Sequence, residues 1–374
     1  MKIARIDITH HRLELDPPFW PTWDSRPRPL FAAALVRVES DSGHVGYGSG
    51  DAMPGFDGHE ELFLGRDPLD LAGHYGVIEN LSFHLGKCWP LDLALWDLAG
   101  KIHDKSVWQM LGGTSTPLPA YASLGQRRDL DGTVRAARAA VARGFKAVKI
   151  RFFREDWRED VAVAQAVRAA LGAEVDLMVD CNQAWRMQWD RRPYRGYDEA
   201  LALLRALEPI GIYWIEEPLF RGDHDGLRQM RRESGIRIAG GELTRETHEA
   251  AQMVRHGCFD VLQCDVALAG GISGLRPIAR LCQMHDVLFT PHTWGNGIML
   301  AAAVQFMAGI GRPPNPQKPA YLEVPDDPPD WTPDKRDFML TEPILVTPDG
   351  TLLPPTSPGL GFELDRQRLA RTRI

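Results

Sequence analysis

A series of charged residues recurs at the ends of short β-like segments. Lys149 and Arg151 close the segment 147–152, Asp180 and Asn182 stand at the end of 176–180, and Glu216 and Glu217 end 213–217. Glu242 follows 236–240, Asp265 ends 261–265, His292 follows 287–291 and Glu323 lies in 321–324. One such charge alone would read as a surface residue or half of a weak ion pair; the repetition at one segment end after another points to a chemical site. Asp180, Glu216 and Glu242 would fall on three adjacent strands. Carboxylates that close repel, and either one takes up a proton or a cation sits between them. A hard divalent ion with oxygen ligands resolves the conflict, and magnesium (Mg2+) suits it because it accepts a few carboxylates and keeps positions open.

Lys149 and Arg151 are two apart on one strand, so both side chains face the same way, opposite the metal, whereas Lys146 should face outward. Arg151 keeps its proton at any ordinary pH and can only hold negative charge. Lys149 could act as a base if the cation beside it lowered its pKa. Asp265 ends the strand before His292, so a carboxylate-to-imidazole hydrogen bond is expected. Such a bond fixes the tautomer and raises the basicity of the other ring nitrogen, making a proton shuttle.

The elements that must position these groups form a repeat. Eight strand candidates, 120–124, 147–152, 176–180, 213–217, 236–240, 261–265, 287–291 and 321–324, alternate with amphipathic runs such as 134–143, 160–171, 198–207, 246–256 and 275–284. This fits the roughly 250-residue budget of a parallel βα barrel, whose catalytic groups sit at the C-terminal ends of its strands. A doubly wound open sheet is the alternative, but no GxGxxG follows a first strand. The expected architecture is thus α/β: a βα barrel over residues 116–325, an N-terminal α+β capping domain over 1–115, and a C-terminal segment, 326–374, with a strand-like run at 343–346 that returns to the capping domain. Within the first module, strands are expected at 2–14, 31–39 and 45–48. The stretch 16–28 is too rich in proline for regular structure. It reads as a long loop whose Trp20 and Trp23 form a lid over the site and touch the substrate.

Composition excludes several function classes. The 374-residue chain has a net charge of −7 and no basic run, which argues against nucleic acid as a partner. No apolar run reaches the length of a membrane span. The first residues alternate like a strand and lack the apolar core of a signal peptide, so a cytoplasmic location is expected. Five cysteines without CxxC spacing suggest neither disulfides nor a zinc site. The expected partner is a small-molecule carboxylate, and the expected assembly a homo-oligomer.

In order and spacing, Lys149-Ile150-Arg151, Val179-Asp180-Cys181-Asn182, Ile215-Glu216-Glu217-Pro218, Gly240-Gly241-Glu242, Asp265 followed by Gly270-Gly271, Pro291-His292 and Leu322-Glu323 resemble the mandelate racemase subgroup of the enolase superfamily. The resemblance covers nearly the whole chain, and the segment 91–113 is similar to the helix and turn that join the capping domain to the barrel there. It implies that Asp180, Glu216 and Glu242 bind magnesium, that Asp265 and His292 form a catalytic dyad, and that Glu323 hydrogen-bonds the substrate carboxylate as it becomes an enediolate. Glu217 would support the site and Asn182 would neighbour the metal or the substrate.

The muconate-lactonising and dipeptide-epimerase branches place a lysine at the end of the sixth strand, and 265–269 contains none. Arg151 stands where the racemase has its second lysine base, which speaks against two-base racemisation. The implied reaction is removal of the proton next to a carboxylate followed by loss of water, converting an aldonate or aldarate to a 2-keto-3-deoxy acid. His292 either takes the α-proton or protonates the departing hydroxyl, with Lys149 then the base. The nearest rival is a sugar-lactone cycloisomerase, which the run 291–295 also resembles, or an epimerase; a non-catalytic ligand-binding protein is the rival from another class.

Overall fold

The computed structural model describes residues 1–311 and 319–374. Alternating apolar positions pair the strand Ile3–Phe19 antiparallel with Arg28–Ser40, which pairs with Val45–Gly50. One face of this sheet, carrying Ile3, Ile6, Val36 and Val38, buries against the helices Leu71–His84 and Trp89–Ile102. The last strand can lie this close to the second helix only because it carries glycine: a Cβ at Gly46 or Gly48 would collide with the carbonyl oxygens of Ala94 and Pro90.

The stretch 16–28 departs from expectation. The first strand runs through Pro17 and Pro18 to Phe19, and only residues 20–27 form the connection. The register breaks between Glu14 and Phe19, so the prolines fall where no ladder N–H is required. The result is an arm of two strands reaching over the barrel, not a free loop.

Eight parallel strands follow: Leu118–Ser123, Ala147–Arg151, Asp176–Asp180, Ile212–Glu216, Arg237–Gly240, Val261–Leu262, Leu288–Phe289 and Leu322–Pro325. They pair in the order seventh to first and then eighth, as a curled sheet whose ladder stops between the seventh and eighth strands. Side chains bridge that gap, with Thr290 Oγ1 donating to the Tyr321 carbonyl (2.6 Å) and Thr293 Oγ1 to the Glu323 carbonyl (2.8 Å). The sixth and seventh strands are shorter than the sequence suggested, although the Thr290 and His292 N–H groups still reach the Leu262 and Gln263 carbonyls. Asp265 and His292 therefore sit on loops pinned to the barrel rim.

Helices cover the outside, among them Leu130–Ala142, Trp157–Leu171, Tyr197–Leu207, Thr247–His256 and Gly271–Met284, close to the amphipathic runs in the sequence. Inside, Tyr121, Met178, Trp214 and Tyr321 fill the barrel below the charged layer. The run 343–346 forms no strand. Instead Thr351–Leu352 pairs antiparallel with the first barrel strand, while the helix Arg366–Thr372 packs at the capping sheet, where Ile374 N donates to the His10 carbonyl (3.0 Å). No helix among the described residues is long and apolar enough to cross a membrane.

Candidate active site

The inward alternation of the second barrel strand buries Lys149 completely. Its Nζ stands 2.7 Å from Glu216 Oε2, 2.9 Å from Glu323 Oε1 and 3.6 Å from Asp180 Oδ2. Two residues on, Arg151 Nη1 lies 2.5 Å from Asp180 Oδ2 and 3.0 Å from Asn182 Oδ1, and its Nε donates to the Leu124 carbonyl. Asp180 Oδ1 accepts from the Asn182 N–H, Glu216 Oε2 from Gln263 Nε2 (2.9 Å), and Glu242 Oε1 from Trp185 Nε1 (2.7 Å).

Asp180, Glu216 and Glu242 each present an oxygen, and these oxygens lie within 4.8 Å of one another. Glu216 Oε1 and Glu242 Oε2 have no hydrogen-bond partner. The buried carboxyls here, Asp180, Glu216, Glu217, Glu242, Asp265 and Glu323, outnumber the buried cations Lys149 and Arg151. Burial, with Asp180 next in weight and against the relief given by Lys149, pushes Glu216 up to about 8. Free lone pairs aimed at one point and a deficit of positive charge are what a divalent oxygen-bound ion needs, so the residues fit magnesium.

The backbone is strained at this edge: Asn182 and Glu217, each just past a metal-side strand, adopt φ of 45° and 47°, a region that non-glycine residues seldom enter. Such strain tends to mark functional sites. Glu217 Oε2 is also without a partner, and burial together with Glu242 and Asp180 raises its carboxyl well above the usual range.

Across the mouth the pattern reverses. His292 Nδ1 bonds Asp265 Oδ2 at 2.9 Å, and Asp265 Oδ1 accepts from the Ala267 N–H. In the neutral ring Nδ1 is thereby the protonated nitrogen, and Nε2 stands 3.7 Å from Glu242 Oε2. Burial lowers the imidazole pKa, but Glu242, the Asp265 hydrogen bond and Glu323 outweigh it and push His292 up to about 9. Glu323 Oε2 accepts from the Thr293 N–H at 2.8 Å. Burial would raise this carboxyl, yet Lys149, His292 and Arg151 hold it well below the usual range.

A cavity of about 390 Å³ opens above these groups. Arg151, Glu242 and His292 are its polar floor, and Phe19, Trp23, Arg28 and Trp331 are among its walls. The arm is packed onto the barrel by aromatic contacts: Phe19 stacks on Trp294 with centroids 5.7 Å apart, Trp23 meets the Trp294 edge at 4.9 Å, and Trp23 lies 4.5 Å from the Arg151 guanidinium.

Two sequence expectations change. Lys149 does not line the cavity, and the surrounding Glu216 and Glu323 outweigh burial to raise its pKa well above the ordinary value. Arg151 was expected to lower it, but three carboxylates stand within 3.6 Å of Nζ and raise it. Trp20, expected to touch substrate, is 45% exposed and lines neither the main cavity nor the smaller one beside it. Its backbone helps hold the arm down, with N–H to Gln126 Oε1 and carbonyl to the Arg127 N–H, both 2.9 Å.

Sequence reasoning also missed Gln263, Trp185, Ser123 and Arg28. Gln263 was findable, since it precedes Asp265 by two and so shares its face. Ser123, which accepts from Trp294 Nε1 and lies 3.5 Å from Arg151 Nη2, ends the first strand and carries no charge to draw attention. Trp185 and Arg28 reach the site through loop and arm geometry that no local pattern encodes.

Comparison with known proteins agrees with this geometry. A family model described as "Enolase C-terminal domain-like" matches residues 132–368. D-galactarolactone cycloisomerase of Agrobacterium fabrum is 33% identical over 100% of this chain and 99% of its own. A racemase from Streptomyces coelicolor A3(2), solved with bound magnesium, is 27% identical with a TM-score of 0.85, covering 100% of both chains. L-talarate dehydratase from Polaromonas sp. JS666, solved with magnesium and L-glucarate, is 28% identical with a TM-score of 0.79, covering 100% of this chain and 98% of its own. Cycloisomerases and dehydratases of sugar acids are thus both among the relatives.

Proposed function

Because this chain belongs to the enolase superfamily, we propose that it removes the proton next to the carboxylate of a sugar-acid lactone or cyclic ether and opens the ring by β-elimination, as a cycloisomerase. The observation that carries the reading is that, of the three polar groups on the cavity floor, His292 is the one left to move a proton once Glu242 holds the metal. His292 faces the cavity, Arg151 cannot give up a proton, and Lys149 is sealed beneath.

Asp180, Glu216 and Glu242 would hold a magnesium ion. When bound, the ion supplies positive charge to the substrate carboxylate, lowering the cost of removing the α-proton. Asp265 holds the His292 ring with Nε2 toward the cavity, and Nε2 takes the α-proton. The electron pair of that C–H bond becomes the new C=C bond while the β-carbon to ring-oxygen bond breaks, its pair staying on oxygen. In a lactone that oxygen leaves as a carboxylate and needs no acid; in a cyclic ether it takes the proton that His292 has just received. The leaving group stays tethered, so the product is an isomer of the substrate; the enol then returns a proton to carbon and becomes a keto acid. Lys149 and Arg151 fix Glu323 and Asp180, and Arg151 faces the charge that builds up.

Dehydration of an open-chain sugar acid, the reaction expected from the sequence, is the second reading. It is favoured by the dehydratases among the relatives and requires His292, once protonated, to hand its proton to the departing hydroxyl on the same face. The magnesium-loaded enzyme incubated in D2O with sugar-acid lactones and their open-chain acids separates the two. Cycloisomerisation gives a keto acid of unchanged composition from the lactone, whereas faster loss of water from the open-chain acid overturns it.

A further inference from the structure

Beside the main cavity lies a smaller one of about 60 Å³, with different chemistry. The two share Trp23 and Trp185 as a common wall. After the third barrel strand the chain turns at Asn182 and runs to the helix Tyr197–Leu207, supplying Arg186, Arg192 and Arg195, while Arg154 comes from the loop after the second strand. Two of these have close acidic partners: Arg192 is 2.6 Å from Asp190 and Arg154 is 2.8 Å from Asp160. Arg186 Nε is 3.9 Å from Asp190, and Arg195 Nε is 3.7 Å from Glu199.

Four donor atoms of residues lining this space lack acceptors, although Arg186 Nη1 and Nη2 are held by the Asn182, Trp185 and Pro193 carbonyls and Gln183 Oε1. The Arg195 side chain is only 9% exposed, yet its Nη1 has no hydrogen-bond partner. Asn182 Nδ2, Thr22 Oγ1 and Arg186 Nε are also buried without one. Leaving several buried donors unmet costs stability, and such groups ordinarily find a partner. Burial lowers the Arg186 pKa and, against Asp190, Arg192 and Arg195 add to the lowering, as expected where positive charge is in excess. The volume admits a few waters and hence a carboxylate.

Asn182 ties the two cavities together. Its backbone N–H bonds Asp180 Oδ1 and its Oδ1 accepts from Arg151, while its Nδ2 is left free and the residue lines the smaller space. We propose that the smaller cavity receives the carboxylate freed when the lactone ring opens, which is the far carboxylate of an open-chain diacid, so that the enzyme selects acids derived from sugar diacids over those from monoacids, with Arg195 as the principal selector. This rests on the acid-sugar reading above. A guanidinium is suited to the role because its fork matches both oxygens of a carboxylate.

The test measures binding and does not need turnover. The His292→Asn full-length protein, loaded with Mg2+, is titrated calorimetrically with six-carbon sugar diacids and with the monoacids of the same configurations. The diacid is expected to bind at least about tenfold tighter than its monoacid. Arg195→Met in the same background is expected to bring that ratio to about one, and Arg195→Lys to restore part of it. Equal affinity for both acids before Arg195 is changed overturns the subsite while leaving the acid-sugar reading standing. Binding of neither acid in any configuration overturns the acid-sugar reading, and the subsite falls with it. Inorganic phosphate that binds in an Arg195-dependent way without displacing the diacid marks a separate anion site and also overturns the proposal.

Discussion

The two halves of the barrel mouth treat their acidic groups in opposite ways. On the third to fifth strands, Asp180, Glu216 and Glu242 converge with Glu216 Oε1 and Glu242 Oε2 unpaired, and Glu216 is pushed up to about 8. On the sixth to eighth strands, Asp265 spends both oxygens on His292 and the Ala267 N–H, and Glu323 is hydrogen-bonded and held well below the usual range. The first half is incomplete as protein and fits an ion. The second meets its charges with protein groups, Glu323 Oε1 through the Lys149 ion pair at 2.9 Å, and holds one nitrogen in place. What differs is whether the polypeptide itself satisfies its buried charges, and that difference separates a ligand set from a proton-moving set.

The strongest way to break this comparison is to remove the ion or its ligands. Chelation of divalent metal is expected to abolish turnover and lower thermal stability, since Mg2+ at about 100 times its Kd contributes roughly 2.7 kcal/mol to the folded state. Glu242→Gln keeps an acceptor for Trp185 Nε1 but removes a charge. It is expected to weaken Mg2+ binding, read by calorimetry, while the metal-free protein melts no lower than wild type because like-charge repulsion falls. A metal-free variant that melts well below wild type would mean Glu242 is already satisfied without an ion.

The matching change on the other half is His292→Asn, expected to lower keto-acid formation and deuterium exchange at the α-carbon together by about 10²–10⁴-fold with Mg2+ affinity unaltered. Exchange that survives while elimination stops would restore Lys149 as the α-base. Lys149→Met should instead act on stability, costing about 3–5 kcal/mol in urea melts, because it strands Glu216 and Glu323 without their buried cation.

Much of this contrast was legible in the sequence, and the reasons it was partly illegible are physical. Strand alternation and the βα period locate Asp180, Glu216, Glu242, Asp265, His292 and Glu323 at one end of the barrel, because those periods are local. The placements of Lys149 and Trp20 were not legible because they depend on tertiary distance. Spacing put Lys149 beside Arg151, but the fold also puts three carboxylates within 3.6 Å of Nζ. Likewise the prolines at 17 and 18 signalled a loop, while pairing to a neighbouring strand with a break in register absorbed them into an arm.

A smaller effect follows from His292 standing at the boundary of the two halves. Its folded-state value of about 9 exceeds the ordinary 6.5, so its contribution to stability is fully present below about 6.5 and is lost as pH rises through about 9. The metal-free protein should therefore lose stability across that window. Mg2+ on Glu242 offsets the negative charge that raises the imidazole, so NMR of the ring in the loaded protein should show a lower titration midpoint. An unchanged midpoint would mean that Glu242 is not a ligand, or that Asp265 alone sets the basicity.

The smallest effect concerns the roof shared by both halves. Trp23 lies against the Arg151 guanidinium and the Trp294 edge and lines both cavities, whereas Trp20 lines neither and helps hold the arm through its backbone. An alanine in place of Trp20 keeps those backbone bonds, so Trp20→Ala is expected to change stability by no more than about 0.5 kcal/mol and leave the ranking of substrates by kcat/KM as in wild type. Trp23→Ala removes part of the wall between the cavities and should change that ranking, because a substrate reaching from one cavity toward the other passes that ring. The discriminating measurement is kcat/KM for a panel of acid sugars in both variants. A Trp20→Ala profile that shifts as much as the Trp23→Ala profile would mean that the arm moves as one lid and that its aromatic contacts with the barrel are made and broken during turnover.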